Sequence, residues 1–256
     1  MVQHRPEQTV PQPVAFDWYA PATHAAALDG VDRVYLIPPV GDSDPAAVML
    51  PFLRRARATG VLRAVLLSSS AIPEGGPAVG TVHQALPGLF EQWAVLRPSW
   101  FMQNFTGTHP HAVGIRENGT IRSATGDGRV GFVDADDIAA VAVHALTDEH
   151  APDTDLVLTG PEALSYDDIA TITTEVTGRP VVHHRLSYEE MRDHLTRTAL
   201  IAPEFASLLA GMDRAIAEGT EDRVTDAVHR LTGRPAGTFR ALLEREGSVS
   251  APGSTG

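Results

Sequence analysis

Val65, Leu66 and Leu67 run without a polar break into Ser68, Ser69 and Ser70, and Pro73, Gly75, Gly76 and Pro77 follow closely. A short apolar run bounded by turn residues is the pattern of a strand covered on both faces, as in a parallel sheet. Such a strand needs helices on both sides of it, which restricts the chain to an α/β architecture. In doubly wound folds, ligands settle just beyond the carboxyl ends of the strands. The three serines therefore stand where a site is expected.

The rest of the chain supplies the partners this strand requires. Residues 14–18 and 34–37 read as strands, the second ended by Pro38 and Pro39. Between them Pro21 opens a short helix that closes at Gly30. Asp44 and Pro45 cap a helix carrying Met49, Phe52, Leu53 and Ala56. Pro51 conflicts with that helix, so its regular part is expected to begin there. Residues 82–86 read as a short helix and 93–96 as a strand. Extended pieces at 120–124 and 130–133 flank a turn at 126–129. A helix is expected over 136–146, with Asp136 and Asp137 capping it, and a strand over 155–159. Ser165 caps a helix carrying Ile169, Ile172 and Val176 that stops at Gly178. Residues 180–185 read as extended, Ser187 with Glu190 forms a capping box, and helical spacing dominates from Pro203 on.

These patterns predict an α/β domain over residues 1–160, a mainly helical lobe over 161–246, and a disordered tail at 247–256. A length of 256 residues and an apolar fraction of 43% suit one such core with an attached lobe. The net charge of −12 argues against nucleic acid and anionic membrane surfaces as partners. No apolar run approaches the ~20 residues of a membrane span, and residues 1–13 do not resemble a signal peptide. The expected setting is the cytoplasm, as a monomer or homodimer acting on a small molecule. There is no cysteine and no lysine. Disulfides, zinc–thiolate sites, Schiff-base chemistry and a Tyr-x-x-x-Lys pair are excluded. His109 with His111, and His183 with His184, lack carboxylates at ligand spacing, so no metal is expected.

A dinucleotide-binding sheet opens with a strand, a glycine-rich turn and a helix whose amino end faces the pyrophosphate. No such spacing occurs near the start, where the first glycine is Gly30.

The residues nonetheless resemble a known family. Phe16, Asp17 and Trp18 are followed by residues 34–39 and 65–72, by Gly75, Gly76 and Pro77 with Val82 and His83, and by residues 95–105. Then come residues 123–128, Asp136 to Ala139, Gly160, Pro161 and Glu162 with Tyr166, Asp167 and Asp168, and residues 232–235. This ordered series, over about residues 13–245, resembles the NmrA-like atypical short-chain dehydrogenases, in particular the ergot-alkaloid (festuclavine and agroclavine) dehydrogenase type. The resemblance implies a Rossmann-like parallel sheet. It also implies that about 30 residues, one strand–loop–helix–strand unit, would precede Phe16 in a full member. The expected fold is therefore an N-terminally truncated Rossmann-like sheet with a helical C-terminal lobe.

The resemblance further implies hydride transfer from NADP(H) or NAD(H) to an imine- or enone-like metabolite of secondary metabolism. By position, Pro38 and Pro39 border the adenosine side, and Ser68, Ser69 and Ser70 the nicotinamide edge. Trp100, Met102 and Asn104 face substrate. His83 is the general acid/base candidate, with Ser70 beside it as the second catalytic candidate. Each has a structural alternative: a helix-surface histidine, serines capping a turn, Trp100 in the core, Arg97 paired with a carboxylate rather than a phosphate. Two other functions stay open. One is a cofactor-independent cyclase, isomerase or dehydratase in the same cleft. The other is a non-catalytic NmrA-like regulator that binds without turnover. A Ser69–His83–Asp triad lacks the G-x-S-x-G elbow of a hydrolase.

Overall fold

The computed structural model describes residues 13–197 and 202–250. A 3-10 turn at Pro21–Thr23 leads into α1 (His24–Ala27) and β1 (Arg33–Leu36). Two strand–helix units follow: α2 (Ala46–Ala58), β2 (Arg63–Leu67), α3 (Gly80–Leu89) and β3 (Gln92–Pro98). After a 3-10 turn at Met102–Phe105 come α4 (Pro110–Asn118), β4 (Thr120–Ser123), β5 (Arg129–Val130), α5 (Ala135–Thr147) and β6 (Thr154–Leu158). The remainder is β7 (Leu164–Ser165), α6 (Tyr166–Thr177), β8 (Val182–Arg185), α7 (Tyr188–Arg197), α8 (Pro203–Ala217), α9 (Ala227–Thr232) and α10 (Phe239–Ser250).

The main sheet is parallel throughout, in the order β1-β2-β3-β6. The two-residue period of a strand divides its side chains between two cores. Leu36, Ala64, Leu66 and Val95 pack against α2 and α3 through Met49, Leu53, Val82 and Leu86. Val65, Ala94, Leu96 and Leu156 face the other way, against α5 and α9 through Ile138, Val141 and Val228. The apolar run at 65–67 is thus the double-covered strand its composition predicts. A third core joins Phe105, Ile121 and Phe132 to Ile169, Phe239 and Leu242, so it draws on both sides of residue 160. Among the described residues no helix is long and apolar enough to cross a membrane.

Four local expectations are corrected. Residues 14–18 form no strand. They cross the carboxyl end of β1, where Phe16 and Trp18 stack edge-on against Phe52 and Trp18 Nε1 donates to the Ile37 carbonyl. α2 runs through Pro51 from Ala46, because Pro51 lies on its exposed face and the buried stripe of Met49, Phe52, Leu53 and Ala56 holds the helix on the sheet. The cap of α5 is Asp134, whose extended backbone lets its carboxylate accept from the Asp136 amide; Asp136 and Asp137 are first-turn residues. Asp137 is buried and accepts from Gly237 N and Arg234 instead. Finally, α10 continues through Ser250, while residues 251–256 lie outside the described set.

β4 pairs with β8 in parallel and β5 with β7 antiparallel, forming two small ribbons apart from the main sheet, each joining strands from both sides of residue 160. Between β4, β8 and α6, Ser123 Oγ lies 2.8 Å from His183 Nε2, and His183 Nδ1 lies 3.2 Å from Asp167 Oδ1. This has the connectivity of a catalytic triad, but Ser123 is wholly buried. The chain of contacts ties the lobe's elements together and offers no hydroxyl to a substrate.

Candidate active site

Beyond β2 the serine run continues the ladder: Ser68 N donates to Leu96 O at 2.7 Å and Ser70 N to Pro98 O at 2.9 Å. Arg97 fixes the turn from the neighbouring strand. Its guanidinium donates to Ser70 O at 3.1 Å and pairs with Asp155 Oδ2 at 2.7 Å, which is the structural role of the two weighed for it. The Ser70 hydroxyl is buried and donates to Glu221 Oε2 at 2.8 Å. Ser99 Oγ and Arg223 Nη2 reach the same oxygen at 3.4 and 3.3 Å. Ser70 thus anchors the loop after α8, and its hydroxyl is turned away from solvent.

Ser69 lies between two anchored neighbours and lines a cavity of about 190 Å³ at the carboxyl end of β2 and β3. Trp100, Asn104, Ser99 and Met212 share that lining. The structure therefore brings Ser69, Trp100 and Asn104 together. Met102 is excluded: it is 1% exposed and packs in the third core, its backbone amide held by Val133 O at 2.9 Å. Pro38 and Pro39 end the edge strand β1 and are not part of this lining. His83 sits on the inner face of α3 at 2% exposure, and burial holds its pKa below the ordinary imidazole value. Its Nδ1 and the Ser68 Oγ are buried polar atoms without a hydrogen-bond partner among the described residues.

Trp100 also lines a second cavity, of about 120 Å³, inside the lobe. The two cavities take consecutive residues of α8, Met212 for the first and Asp213 for the second. Met191, Leu195 and Leu209 make the second one apolar. Three imidazoles join them, all held neutral near pH 7. Burial is the main cause for each: His111 falls to about 3, with His109 and His183 adding repulsion, while His109 and His194 are lowered less. Asp213 shifts the other way, raised to about 6 by burial against the opposing Ala124 amide. Sequence reasoning missed Asp213, although one signal existed. It falls on the buried stripe of α8 with Ala206, Ala210 and Ile216, where a carboxylate is out of place.

An architecture of this kind is shared with known proteins. The chain is 44% identical over 221 residues to an uncharacterized oxidoreductase, YesF, of Bacillus subtilis, covering 86% of this chain and 76% of that one. It is 40% identical over 251 residues to the agroclavine dehydrogenase of Claviceps fusiformis, covering 94% and 86%. The chain belongs to the NmrA-like family of short-chain-dehydrogenase-type reductases. The fold agrees: the NADPH-complexed quinone oxidoreductase QOR2 of Escherichia coli superposes with a TM-score of 0.76 at 21% identity, over 90% of this chain and 82% of that one. No protein-family model matches the chain.

In this NmrA-like chain the described polar groups that could meet a nicotinamide ring are those of the Ser69 cavity. Ser68 Oγ and His83 Nδ1 are inaccessible and neither residue lines the Ser69 cavity, so the expected roles of Ser68 at the nicotinamide edge and of His83 as acid/base are not met in this structure. Among the described residues no strand is followed by a G-x-G-x-x-G spacing at a helix amino end; Gly75 and Gly76 between β2 and α3, with Gly80 opening α3, lack it. The amino end of α2 follows Asp42 and Asp44, and the hydrogen bond from the Tyr19 hydroxyl lowers the Asp42 pKa. Negative charge there opposes an anion.

Proposed function

We propose that this chain is an NAD(P)H-dependent oxidoreductase that reduces a polarised C=N or C=C bond of a small metabolite. The observation that carries the reading is the cavity lined by Ser69, Ser99, Trp100 and Asn104 at the carboxyl edge of a parallel sheet. Membership in a family that includes named dehydrogenases supports it. The nicotinamide supplies a hydride when bound. The chain's own residues orient and enclose. Ser69 and the Asn104 amide offer donors and acceptors that align a polar substrate end, and Trp100 and Met212 exclude water around it. Ser68 Oγ and His83 Nδ1 are uncommitted but buried, and neither residue lines this cavity, so neither is assigned a step. Ser70 positions the loop through Glu221 and does not touch substrate.

A second reading keeps the cleft and drops the cofactor: a cyclase, isomerase or dehydratase. The acidic amino end of α2 favours it. Titration of NADPH into the purified chain, followed by tryptophan quenching, separates the two. Saturable micromolar binding, followed by reduction of an imine or enone panel, is the expected result. No binding up to millimolar NADPH, with circular dichroism showing a folded chain, overturns the redox reading and leaves the cofactor-free one.

A further inference from the structure

Asp213 is 6% exposed, and its carboxylate takes one hydrogen bond from the described residues, Ala124 N to Oδ2 at 2.8 Å. Oδ1 takes none from them. A buried carboxylate is normally paired or surrounded by donors, because each unmet lone pair carries a desolvation penalty. Here the carboxylate instead borders a cavity whose walls include the apolar Trp100, Met191, Leu195 and Leu209 together with three histidines and Arg122. Asp213 therefore has the surroundings of a core residue, and among the described residues no cation, Arg122 on the cavity wall included, forms an ion pair with it.

We infer that the lobe cavity is a subsite for a protonated amine carried on an apolar or aromatic body, and that Asp213 is the counter-charge that selects it. The walls fit such a body: the indole of Trp100 and the three aliphatic side chains offer apolar contact, and an indole face adds attraction for a cation. The neutral imidazoles of His109, His111 and His194 leave the amine unopposed near neutral pH. Arg122 is the other charged lining residue. Its guanidinium donates to Thr120 Oγ1 at 3.2 Å, and its charge is felt at His194, whereas Asp213 responds to burial and to the Ala124 amide. Because Trp100 borders both cavities, an amine at Asp213 leaves the rest of a bound molecule directed toward the Ser69 cavity. This inference rests on the proposed function for its choice of reacting end, but the amine subsite is tested without cofactor.

The test uses 2-phenylethylamine, 2-phenylethanol and phenylacetate, titrated by calorimetry into the full chain and into Asp213→Asn at pH 7.5. The expected result is that the amine binds the unmodified chain about 10- to 100-fold more tightly than the alcohol, as a charged hydrogen bond warrants. Asp213→Asn should lose that preference and keep its affinity for the alcohol. Equal affinity for amine and alcohol, an unchanged preference in Asp213→Asn, or a preference for phenylacetate through Arg122 each overturns the inference. A wild-type pH series serves as the second measurement if the variant does not fold. The amine preference should decline as pH falls through about 6, while alcohol binding changes little. The groups facing Asp213 and its cavity are His109 capping α4, His111 on α4, Arg122 on β4, His194 on α7 and Tyr166 on α6. The imidazoles gain charge only at lower pH than usual. Loss of NADPH binding with the amine preference intact sinks the reductase reading alone. NADPH binding without the preference sinks this inference alone.

Discussion

Ser70 Oγ donates to Glu221 Oε2 across 151 residues of chain. The contact fastens the serine turn at the end of β2 to the segment between α8 and α9, so the candidate active site and the lobe are held in one register. Glu221 is 4% exposed and also receives Ser99 and Arg223.

Glu221→Ala should therefore strand two buried hydroxyls. We expect a loss of about 2 kcal/mol in urea unfolding, the scale of unmade buried hydrogen bonds. Glu221→Gln should recover most of it, because the amide oxygen still accepts. A loss below about 0.5 kcal/mol for the alanine variant would show that the junction carries little stability.

Arg63 makes the clearest structural use of arginine in this lysine-free chain. At 1% exposure it donates to Gln92 Oε1 and to the carbonyls of Ala145, Leu146, Asp148 and Glu149, at 2.7 to 3.2 Å. It thereby satisfies the carboxyl end of α5 from the first residue of β2. Lysine carries three donors on one nitrogen and cannot span these acceptors. Arg63→Lys is expected to lower stability by about 2–4 kcal/mol, read from the denaturation midpoint at constant m-value.

The architecture was legible because it depends on local periodicity. The alternation of Ala64 and Leu66 against Val65, and the reciprocal Ser165–Asp168 cap of α6, follow from neighbours in the chain. Residues 14–18 misled for the same reason: their composition suits a strand, but pairing requires a partner, and they found an aromatic cluster around Phe52. The site was half legible. The rule that ligands lie past strand ends pointed to Ser69, Trp100 and Asn104, and the three share one cavity lining. It could not reveal that Ser70 is committed to Glu221, or that Met102 turns into the core, because both depend on contacts distant in sequence. Asp213 was readable in principle, as a charge on an apolar helical stripe.

Asp213 should also be a destabilising residue. Its folded pKa, about 6, lies above the ordinary 3.8, so its favourable contribution is present at low pH and is lost as pH rises through 6. At pH 7.5 the ionised, buried carboxylate opposes folding. Asp213→Asn removes that charge and can still accept from Ala124 N, so it should be more stable than the parent by about 2 kcal/mol at pH 7.5. The advantage should shrink as pH falls through 6 and vanish below about 4. A variant less stable at pH 7.5 would mean that the carboxylate is stabilised by contacts the structure does not contain.

His111 makes the opposite prediction for acid. Its ring stacks on Phe105 and meets Tyr166 edge-on, and burial depresses its pKa from 6.5 to about 3. The folded state therefore refuses a proton that the unfolded chain accepts below 6.5, so stability is present above that value and is lost as pH falls toward 3. At pH 5 this one ring should oppose folding by about 2 kcal/mol relative to pH 7.5. His109, His183, His194 and His83 are shifted in the same direction and add to the loss. His111→Phe keeps an aromatic ring between Phe105 and Tyr166 and binds no proton. Its unfolding free energy should fall by about 2 kcal/mol less than the parent's between pH 7.5 and pH 5. Parallel pH profiles for the two proteins would show that His111 is protonated in the folded state, and would place the acid sensitivity on the other imidazoles.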